Sequence, residues 1–257
     1  MRIVAGSVFA TEVLLAIAPH GRIAGVHVLA ADPRYSLVVA EVGDLPLVGA
    51  EPERLLAVRP DLVILDAFTR PETQALLASA RVPVLSISAP NDFEGIAANI
   101  LRVGRACHLE QPAQALVAKM MARLRELGET RTDLGSWRVC SLDGDLHTHG
   151  GGSLFAAMVN AIGARCLAAD RGAGPFRKLS LESVLAWRPD ALVVVADADH
   201  PRGSPAWLAQ LPGLDLLPCL QKHRVAAVPE AMLGTTSHRL VDTAALLQQT
   251  LQAWGRP

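Results

Sequence analysis

The chain contains the same short pattern twice, at residues 53–65 and again at residues 182–195. Each copy consists of a glutamate, a short helical run, an Arg-Pro-Asp break and a run of apolar residues. Proline cannot continue a helix, and an unbroken apolar run is typical of a strand that is buried on both faces. Such a strand needs helices on both sides, so the repeat predicts two similar α/β lobes related by duplication, with ligands in the crevice between them.

The rest of the chain alternates between strand patterns and helix patterns. Residues 2–5, 23–28 and 84–87 read as strands separated by helical segments, which predicts a parallel sheet with crossover helices. In the first repeat, we expect Leu55, Leu56 and the stem of Arg59 to share one face of a helix.

A long helical pattern runs from Gln111 to about Leu127. It is longer than a crossover between neighbouring strands needs, so we expect it to connect the two lobes. The predicted organisation is an N-terminal lobe at residues 1–106, a connecting helix at residues 107–130 and a C-terminal lobe at residues 131–257.

The composition narrows the class of protein. With 257 residues, 51% of them apolar, the chain can bury a sizeable core. The 24 basic and 25 acidic residues give no field that attracts nucleic acid, and 4% of aromatic residues is too few for base stacking. No apolar run reaches the roughly 20 residues of a membrane-spanning helix. We therefore expect a soluble protein whose partner is a small molecule or another protein.

Four cysteines, Cys107, Cys140, Cys166 and Cys219, are widely spaced and form no CxxC pair. This spacing excludes a zinc ribbon and a thioredoxin motif, while the number of cysteines permits disulfides. Cys140 lies in an apolar run, so we expect it to be a small buried hydrophobic residue.

Two turns that follow predicted strands carry candidate ligand contacts. Ser7 and Ser153 can each cap the helix after such a turn. His147 and His149, beside a glycine-rich stretch, could ligate a metal or a haem iron. We expect their side chains to point to opposite sides, so that one of them faces a ligand; a solvated polar loop is the alternative. His27, at the end of the second strand, is expected on a crevice-facing edge, with a hydrogen-bonded structural role as the alternative.

The sequence gives no positive signal for catalysis. Ser7 does not lie in a G-x-S-x-G elbow, and the glycine-rich turn is not a Walker loop. Asp143 and Asp145 flank Gly144, as turn-forming aspartates do, with metal ligation as the alternative.

Glu53 and Glu182 each begin the helix of a repeat unit, where the helix dipole favours a carboxylate. One such glutamate is an ordinary helix start. The same placement in both repeats indicates a pair of exposed carboxylates that can meet a two-lobed partner carrying arginine.

These features resemble the cobalamin, haem and ferric-siderophore class of ABC-transporter periplasmic substrate-binding proteins. The resemblance rests on Gly-Ser-x-x-Ala-Thr-Glu at residues 6–12, on the paired repeat units and on the long helix between them. Residues 150–154 and 179–182 also fit, although the repeat units are the most specific part. The similarity covers nearly the whole chain.

The resemblance implies two Rossmann-like lobes with parallel sheets, joined by a single long helix, with the ligand in the cleft between the lobes. It also implies that Glu53 and Glu182 dock into arginines of a dimeric ABC-transporter permease. His147 is the best candidate for an axial ligand to a bound metal. The positions that match the ligand-binding cleft are His27, Phe68, His147, His149, Phe176 and Met232.

The chain departs from the family pattern in two places. Met1 to Gly6 read as a strand, without an export signal or lipidation cysteine, so either the protein is cytoplasmic or a signal was cleaved. The resemblance implies the periplasm or the extracytoplasmic surface. The glycine- and tryptophan-containing segment of the family is replaced by residues 232–239. Tyr35, the sole tyrosine, is expected to pack against its loop, with haem ligation opposite His147 as the alternative.

We expect a monomeric, non-enzymatic binding protein without an intrinsic cofactor. It would capture a metal chelate, such as cobalamin, haem or a ferric siderophore, and deliver it to an ABC importer. One alternative is an enzyme of chelatase-like, two-lobed build that uses His147 or His149 as a base or ligand. The other is a divalent-metal binding protein, which needs several histidines and carboxylates to converge.

Overall fold

The computed structural model describes residues 1–49, 51–130, 134–196 and 206–257. Within these ranges the chain forms two compact units. Unit 1 comprises Met1–Met121 and Gly234–Arg239, and unit 2 comprises Ala122–Leu233 and Leu240–Pro257. Both units belong to the α/β class, as the sequence predicts.

Unit 1 is built around a five-stranded parallel sheet. Its strands are β1 (Ile3–Ala5), β2 (Ile23–His27), β3 (Leu47–Val48), β4 (Leu62–Leu65) and β5 (Val84–Ser86). Its helices are α1 (Val8–Ile17), α2 (Val39–Val42), α3 (Pro52–Ala57), α4 (Pro71–Ser79) and α5 (Phe93–Ala106). The strand order is β3-β2-β1-β4-β5, so the chain builds to one side of β1 and then returns to its other side. The carboxyl edge beside β1 is therefore a topological switch point, where α/β sheets bind ligands.

Helix α6 (Glu110–Glu129) follows α5, and the division between the units, after Met121, falls inside it. Ala113, Met120 and Leu127 are buried and recur every seven residues, which places them along one stripe of the helix. The predicted lobe boundaries stay a prediction, and residue 131, where we expect the C-terminal lobe to begin, lies outside the described residues.

Unit 2 holds a four-stranded parallel sheet and a separate two-stranded ribbon. Its strands are β6 (Arg138–Ser141), β7 (His147–Thr148), β8 (Arg165–Cys166), β9 (Arg177–Lys178), β10 (Ala191–Val195) and β11 (Val225–Val228). The parallel sheet has the order β11-β10-β6-β8, and β7 pairs with β9 antiparallel. The helices that follow α6 are α7 (Leu154–Ala161), α8 (Leu167–Asp170), α9 (Leu181–Trp187), α10 (Trp207–Gln210), α11 (Pro218–Gln221), α12 (Glu230–Gly234) and α13 (Leu240–Trp254).

The two repeat units fold alike, with α3 leading to β4 and α9 leading to β10. Between helix and strand, Arg59 and Arg188 adopt left-handed backbone angles, with φ of 50° and 49°. The expectation that the stem of Arg59 shares a helical face with Leu55 and Leu56 is wrong. The helix has already ended at Ala57, because the proline after the arginine disfavours the helical conformation at the arginine itself.

Each unit has a core of buried apolar side chains. In unit 1 the core includes Val4, Leu55, Val63, Leu65 and Leu77, all at most 1% exposed. In unit 2 it includes Leu192, Val194 and Cys140, and the 2% exposure of Cys140 confirms its prediction as a buried hydrophobic residue. All four cysteines are buried and free. Among the described residues, no helix combines the length and the apolarity that crossing a bilayer requires.

Candidate functional site

Unit 1 contains a cavity of about 370 Å³ at the carboxyl edge of its sheet. Ser7, His27, Asp66 and Ile87, which lie at or just beyond the ends of β1, β2, β4 and β5, all contribute to its wall. The cavity therefore occupies the switch-point position at which α/β sheets hold ligands. Its lining is Ser7, Val8, Phe9, Glu12, His27, Leu29, Tyr35, Asp66, Ala67, Phe68, Ile87, Ser88, Ala89, Pro90, Gly234, Thr235 and Thr236.

Ser7 shapes the cavity where β1 passes into α1. Its Oγ accepts a hydrogen bond from the backbone N–H of Ala10 at 3.2 Å, which is the helix cap that the sequence predicts. Thr11 Oγ1 donates to the carbonyl of Ser7 at 2.9 Å and accepts from the N–H of His27 at 3.2 Å. The end of β2 is thereby tied to the first turns of α1.

His27 is half-buried at the end of β2 and lines the cavity. Its Nδ1 accepts a hydrogen bond from the N–H of Leu29 at 3.3 Å, so this nitrogen carries no proton. Burial lowers the pKa of His27, while the charges of Asp66 and Glu51 act in the opposite direction. The neutral ring then carries its proton on Nε2, which makes that nitrogen a hydrogen-bond donor rather than a metal ligand.

Glu12 is a cavity residue that the sequence analysis missed. It is 1% exposed, and its carboxylate accepts hydrogen bonds from the N–H of Leu37 at 3.3 Å and from the hydroxyls of Thr235 and Ser237. These donors come from distant parts of the chain, so the sequence carries no sign of the arrangement beyond the place of Glu12 in the first helix.

Asp66 was also missed, although it follows the buried strand β4 directly. Its Oδ1 accepts hydrogen bonds from the N–H of Phe68 and from Oγ1 of Thr69, both at 3.0 Å. This turn presents Phe68 at the cavity with its side chain 82% exposed. A polar residue directly after a parallel strand is a signal that sequence reasoning could have used.

Tyr35 lines the same cavity and is 39% exposed. The guanidinium of Arg34 lies over its ring, 5.3 Å from the centroid. Arg34 is itself bound to Asp32 through an ion pair at 2.7 Å. The sole tyrosine of the chain thus belongs to the wall of the cavity.

In unit 2, the β7–β9 ribbon carries the histidine candidates, with His147 opposite Lys178. The solvated polar loop that the sequence leaves open here does not form, because the segment is paired and its backbone hydrogen bonds continue beyond the strands, including Gly151 N–H to the carbonyl of Ala173 at 2.8 Å. A Cβ on Gly150 would collide with that same carbonyl oxygen, so this position requires glycine. After the glycines, Ser153 caps α7 as predicted, accepting from the N–H of Ala156 at 3.1 Å.

His147 is held from two sides. Its Nδ1 lies 3.2 Å from Oδ2 of Asp143, and because a carboxylate only accepts, Nδ1 donates and Nε2 of the neutral ring keeps a free lone pair. Its ring stacks on Phe176, with 4.7 Å between the centroids and 16° between the planes. Asp143 Oδ1 accepts from the N–H of Asp145 at 2.9 Å, which confirms the predicted turn. A carboxylate that orients a histidine in this way is typical of metal-ligating histidines.

His149 lies on the same side of the ribbon as His147, since its ring also contacts Phe176, at 5.4 Å between centroids. The expectation that the two histidines point to opposite sides is wrong, because side chains two residues apart in an extended segment share a face. Burial lowers the pKa of His149, opposed by the charge of Asp143. Phe176 is 61% exposed, so the cluster presents an open aromatic surface.

The other predicted site residues lie elsewhere. Met232 is half-buried in α12, where its carbonyl accepts a hydrogen bond from Oγ1 of Thr243 at 2.8 Å, and it does not line the cavity of unit 1. Glu53 and Glu182 are both exposed in the first turns of α3 and α9. Hydrogen bonds from its own backbone amide and from the hydroxyl of Ser180 lower the pKa of Glu182.

Comparisons with known proteins place the chain in a family. Residues 3–232 match the family model described as periplasmic binding protein. The chain is 24% identical over 254 residues to the uncharacterized ABC transporter substrate-binding lipoprotein YvrC of Bacillus subtilis (strain 168), covering 94% of this chain and 76% of YvrC. It is 28% identical over 183 residues to the molybdate-binding protein MolA of Haemophilus influenzae, covering 62% of this chain and 50% of MolA.

A solved structure agrees with the family match. The periplasmic heme-binding protein RhuT from Roseiflexus sp. RS-1, in apo form, superposes with a TM-score of 0.83 and 26% sequence identity. The match covers 98% of each chain. With two α/β units that each hold a parallel sheet, a switch-point cavity in unit 1 and a family match over most of its length, this chain belongs to the periplasmic binding protein family.

Proposed function

We propose that this protein is the substrate-binding component of an ABC importer and that it captures a metal chelate: a corrinoid, haem or ferric siderophore. Its family, the role named for YvrC and the haem binding named for RhuT support this function. The observation that most favours a metal chelate as the ligand is the way in which Asp143 and Phe176 hold the ring of His147. Asp143 fixes the ring so that Nε2 can act as an axial ligand to the metal of the cargo.

Aromatic surface supplies the rest of the binding. Phe176 beside His147, and Phe68 at the cavity of unit 1, expose most of their side chains. Covering such surface with a flat macrocycle yields about 25 cal/mol per Å² of apolar area, before the cost of association. We propose as ligand contacts His27, Phe68, His147, His149, Phe176 and Met232.

The sequence predicts that these residues serve one ligand. Phe68→Ala and Phe176→Ala should then each weaken the affinity for the same chelate by roughly ten-fold, the range expected for a truncated aromatic contact. A loss confined to one of the two variants would contradict a common ligand.

The permease is the proposed macromolecular partner. Glu53 and Glu182 occupy the same place in the two repeat units and are exposed, as docking to arginine requires. We propose that the protein works as a monomer outside the cytoplasmic membrane and delivers its ligand without catalysis. The family, whose relative YvrC is a substrate-binding lipoprotein, supports that location.

A bare divalent metal is a poorer fit to this chain. In the part of the chain that the structure describes, no three side chains of His, Cys, Asp or Glu converge to hold an ion. A chelated metal needs only one or two ligands from the protein, which is what His147 with its neighbour His149 offers.

The test is absorbance spectroscopy of purified protein with hemin and with aquocobalamin. His147→Ala should alter the spectrum of the bound chelate and weaken its binding by roughly ten-fold or more, as loss of a coordinating group does. The exposed His20 supplies a control variant, His20→Ala, that should behave like the wild type. An unchanged spectrum in His147→Ala would rule out coordination by this residue.

A further inference from the structure

In the described part of the chain, the acidic side chains in the wall of the unit 1 cavity are not matched there by lysine or arginine. Among its described lining residues the carboxylic acids are Glu12 and Asp66, and neither lysine nor arginine is present. The one basic ring in the wall, His27, is held neutral by burial, as its hydrogen bond from Leu29 also requires. The remaining wall is apolar or bears hydroxyl groups.

Glu12, which is 1% exposed, places a carboxyl group in the wall of this cavity. Its hydrogen bonds come from one backbone N–H and the hydroxyls of Thr235 and Ser237, all of which are uncharged donors. They stabilise the carboxylate without neutralising it. An anion entering the cavity would therefore meet an uncompensated negative charge.

Asp66 adds a second carboxylate that is available to a ligand. Its Oδ1 is used by the turn to Phe68 and Thr69, whereas Oδ2 has no hydrogen-bond partner among the described residues. Asp66 is half-buried and lines the cavity together with His27, whose pKa its charge acts to raise. Because Oδ2 of Asp66 is an acceptor without a hydrogen bond among the described residues, it favours a ligand group that donates one.

Two basic side chains near the wall, Arg102 and Arg34, are committed to other groups. Arg102 donates to the carbonyl of Ser86 at 2.8 Å and reaches Oγ of Ser88 at 3.4 Å. Arg34, above the ring of Tyr35, is paired with Asp32 at 2.7 Å. Neither guanidinium lines the cavity.

We propose that this cavity takes a neutral or cationic, hydrogen-bond-donating part of the ligand, such as an amide, amine or hydroxyl group, and disfavours carboxylates and oxyanions. The inference rests on the proposed function, because it specifies which part of a metal chelate fits here. Burial removes an anion from water, and repulsion from Asp66 and Glu12 adds to that cost. Molybdate, the anion named for the Haemophilus relative, is disfavoured in this cavity for the same reason.

The test uses pairs of chelates in which a neutral peripheral group is replaced by a carboxylate. Cyanocobalamin is compared with its monocarboxylic acid, in which one peripheral amide is hydrolysed, and hemin dimethyl ester is compared with hemin. At pH 7.5 and low salt, the amide or ester of the pair that binds should bind at least about ten-fold more tightly than the acid, the size expected for repulsion at an effective dielectric near 20.

The variant Asp66→Asn tests where the preference arises. Asparagine keeps an oxygen acceptor for Phe68 and Thr69 and removes the charge, so the preference should fall by roughly ten-fold, since the carboxylate repulsion is gone. Asp44→Asn, an exposed position outside the cavity, is the matched control and should keep the wild-type preference. Circular dichroism checks that both variants are folded.

Each outcome of this test either supports or overturns the inference. An acid that binds as tightly as its amide or ester in the wild type, or a preference unchanged in Asp66→Asn, overturns this inference and leaves the proposed function standing. Failure of all four chelates to bind also overturns this inference, because neither the amide nor the ester is then accepted, whereas the proposed function is overturned only if a ferric hydroxamate fails to bind as well.

Discussion

Arg138 and Asp190 form a two-point ion pair between β6 and the turn before β10, with Nε 2.9 Å from Oδ2 and Nη2 2.9 Å from Oδ1. The N–H of Arg138 donates to the same carboxylate at 3.0 Å. In unit 1 the matching residues, Arg2 and Asp61, keep the backbone bond at 2.6 Å, but the guanidinium of Arg2 donates to backbone carbonyls instead. The aspartate of the repeat therefore anchors the first strand of each sheet, and of these two positions only Asp190 in unit 2 adds an ion pair with the arginine of that strand.

This difference predicts that replacing aspartate by asparagine lowers the free energy of unfolding more in unit 2 than in unit 1. Asp190→Asn should destabilise the protein by about 1–2 kcal/mol, because it weakens charge-assisted hydrogen bonds at a side chain that is 20% exposed. Asp61→Asn should cost about 0.5 kcal/mol, since that side chain is 57% exposed. Urea unfolding of both variants measures the two values. An equal or greater loss in Asp61→Asn would contradict the role given to the ion pair.

The lowered pKa of His238 predicts that the stability of the protein depends on pH. Burial, with the charges of Arg239 and Lys119, lowers its pKa to about 4, so the folded protein binds fewer protons than the unfolded chain between pH 6.5 and about 4. Stability should therefore fall as the pH drops through this window, by about 2 kcal/mol between pH 7 and pH 5 from this residue.

The measurement is urea unfolding at pH 7 and at pH 5. His238→Leu should lose about 2 kcal/mol less than the wild type between the two pH values, because leucine does not titrate. His20→Leu, at an exposed position, is the control and should follow the wild type. Equal pH dependence in the wild type and in His238→Leu would disprove the assignment.

The burial of the four cysteines predicts that their thiols react slowly with a thiol reagent in the folded protein. Burial raises the pKa of Cys107 and Cys219 to about 11 and that of Cys140 to about 12, and it also raises the pKa of Cys166. At pH 8 these thiols are protonated and shielded, so a thiol reagent should label none within minutes and all four once guanidinium unfolds the chain. Fewer than four labelled cysteines after unfolding would reveal a disulfide.

The docking proposal predicts a separation of binding from transport. Glu53→Lys combined with Glu182→Lys should abolish ligand-stimulated transport by the partner importer, because lysines would face its arginines. Ligand affinity should stay unchanged. Glu94→Lys with Glu110→Lys, at exposed first-turn positions of α5 and α6, is the matched control and should transport normally. A large loss of affinity in the Glu53 and Glu182 variant would refute the docking role.

The sequence predicts most of the framework because long apolar runs and helix caps act locally. The strand Leu62–Leu65 and the caps at Ser7 and Ser153 lie where the pattern places them. Two-residue strands such as Leu47–Val48 escape prediction, because such a short segment has no periodicity and is held by its neighbour in the sheet.

The candidate site is predicted less completely than the framework. His27 and His147 stand out in the sequence by residue type and by their place near predicted strands, whereas Phe68 and Phe176 are identified only through the family resemblance. Glu12 does not, because its role depends on hydroxyl groups more than two hundred positions away along the chain, which only the folded backbone brings near.

Calorimetric titration of the purified protein with hemin, cobalamin and a ferric hydroxamate tests the central claim most directly. One of these chelates should bind saturably, at one molecule per chain, with a Kd of about 1 μM or lower, in the range that ordinary specific ligands reach. Heat from molybdate or from a free divalent cation, with none from the three chelates, would contradict the account.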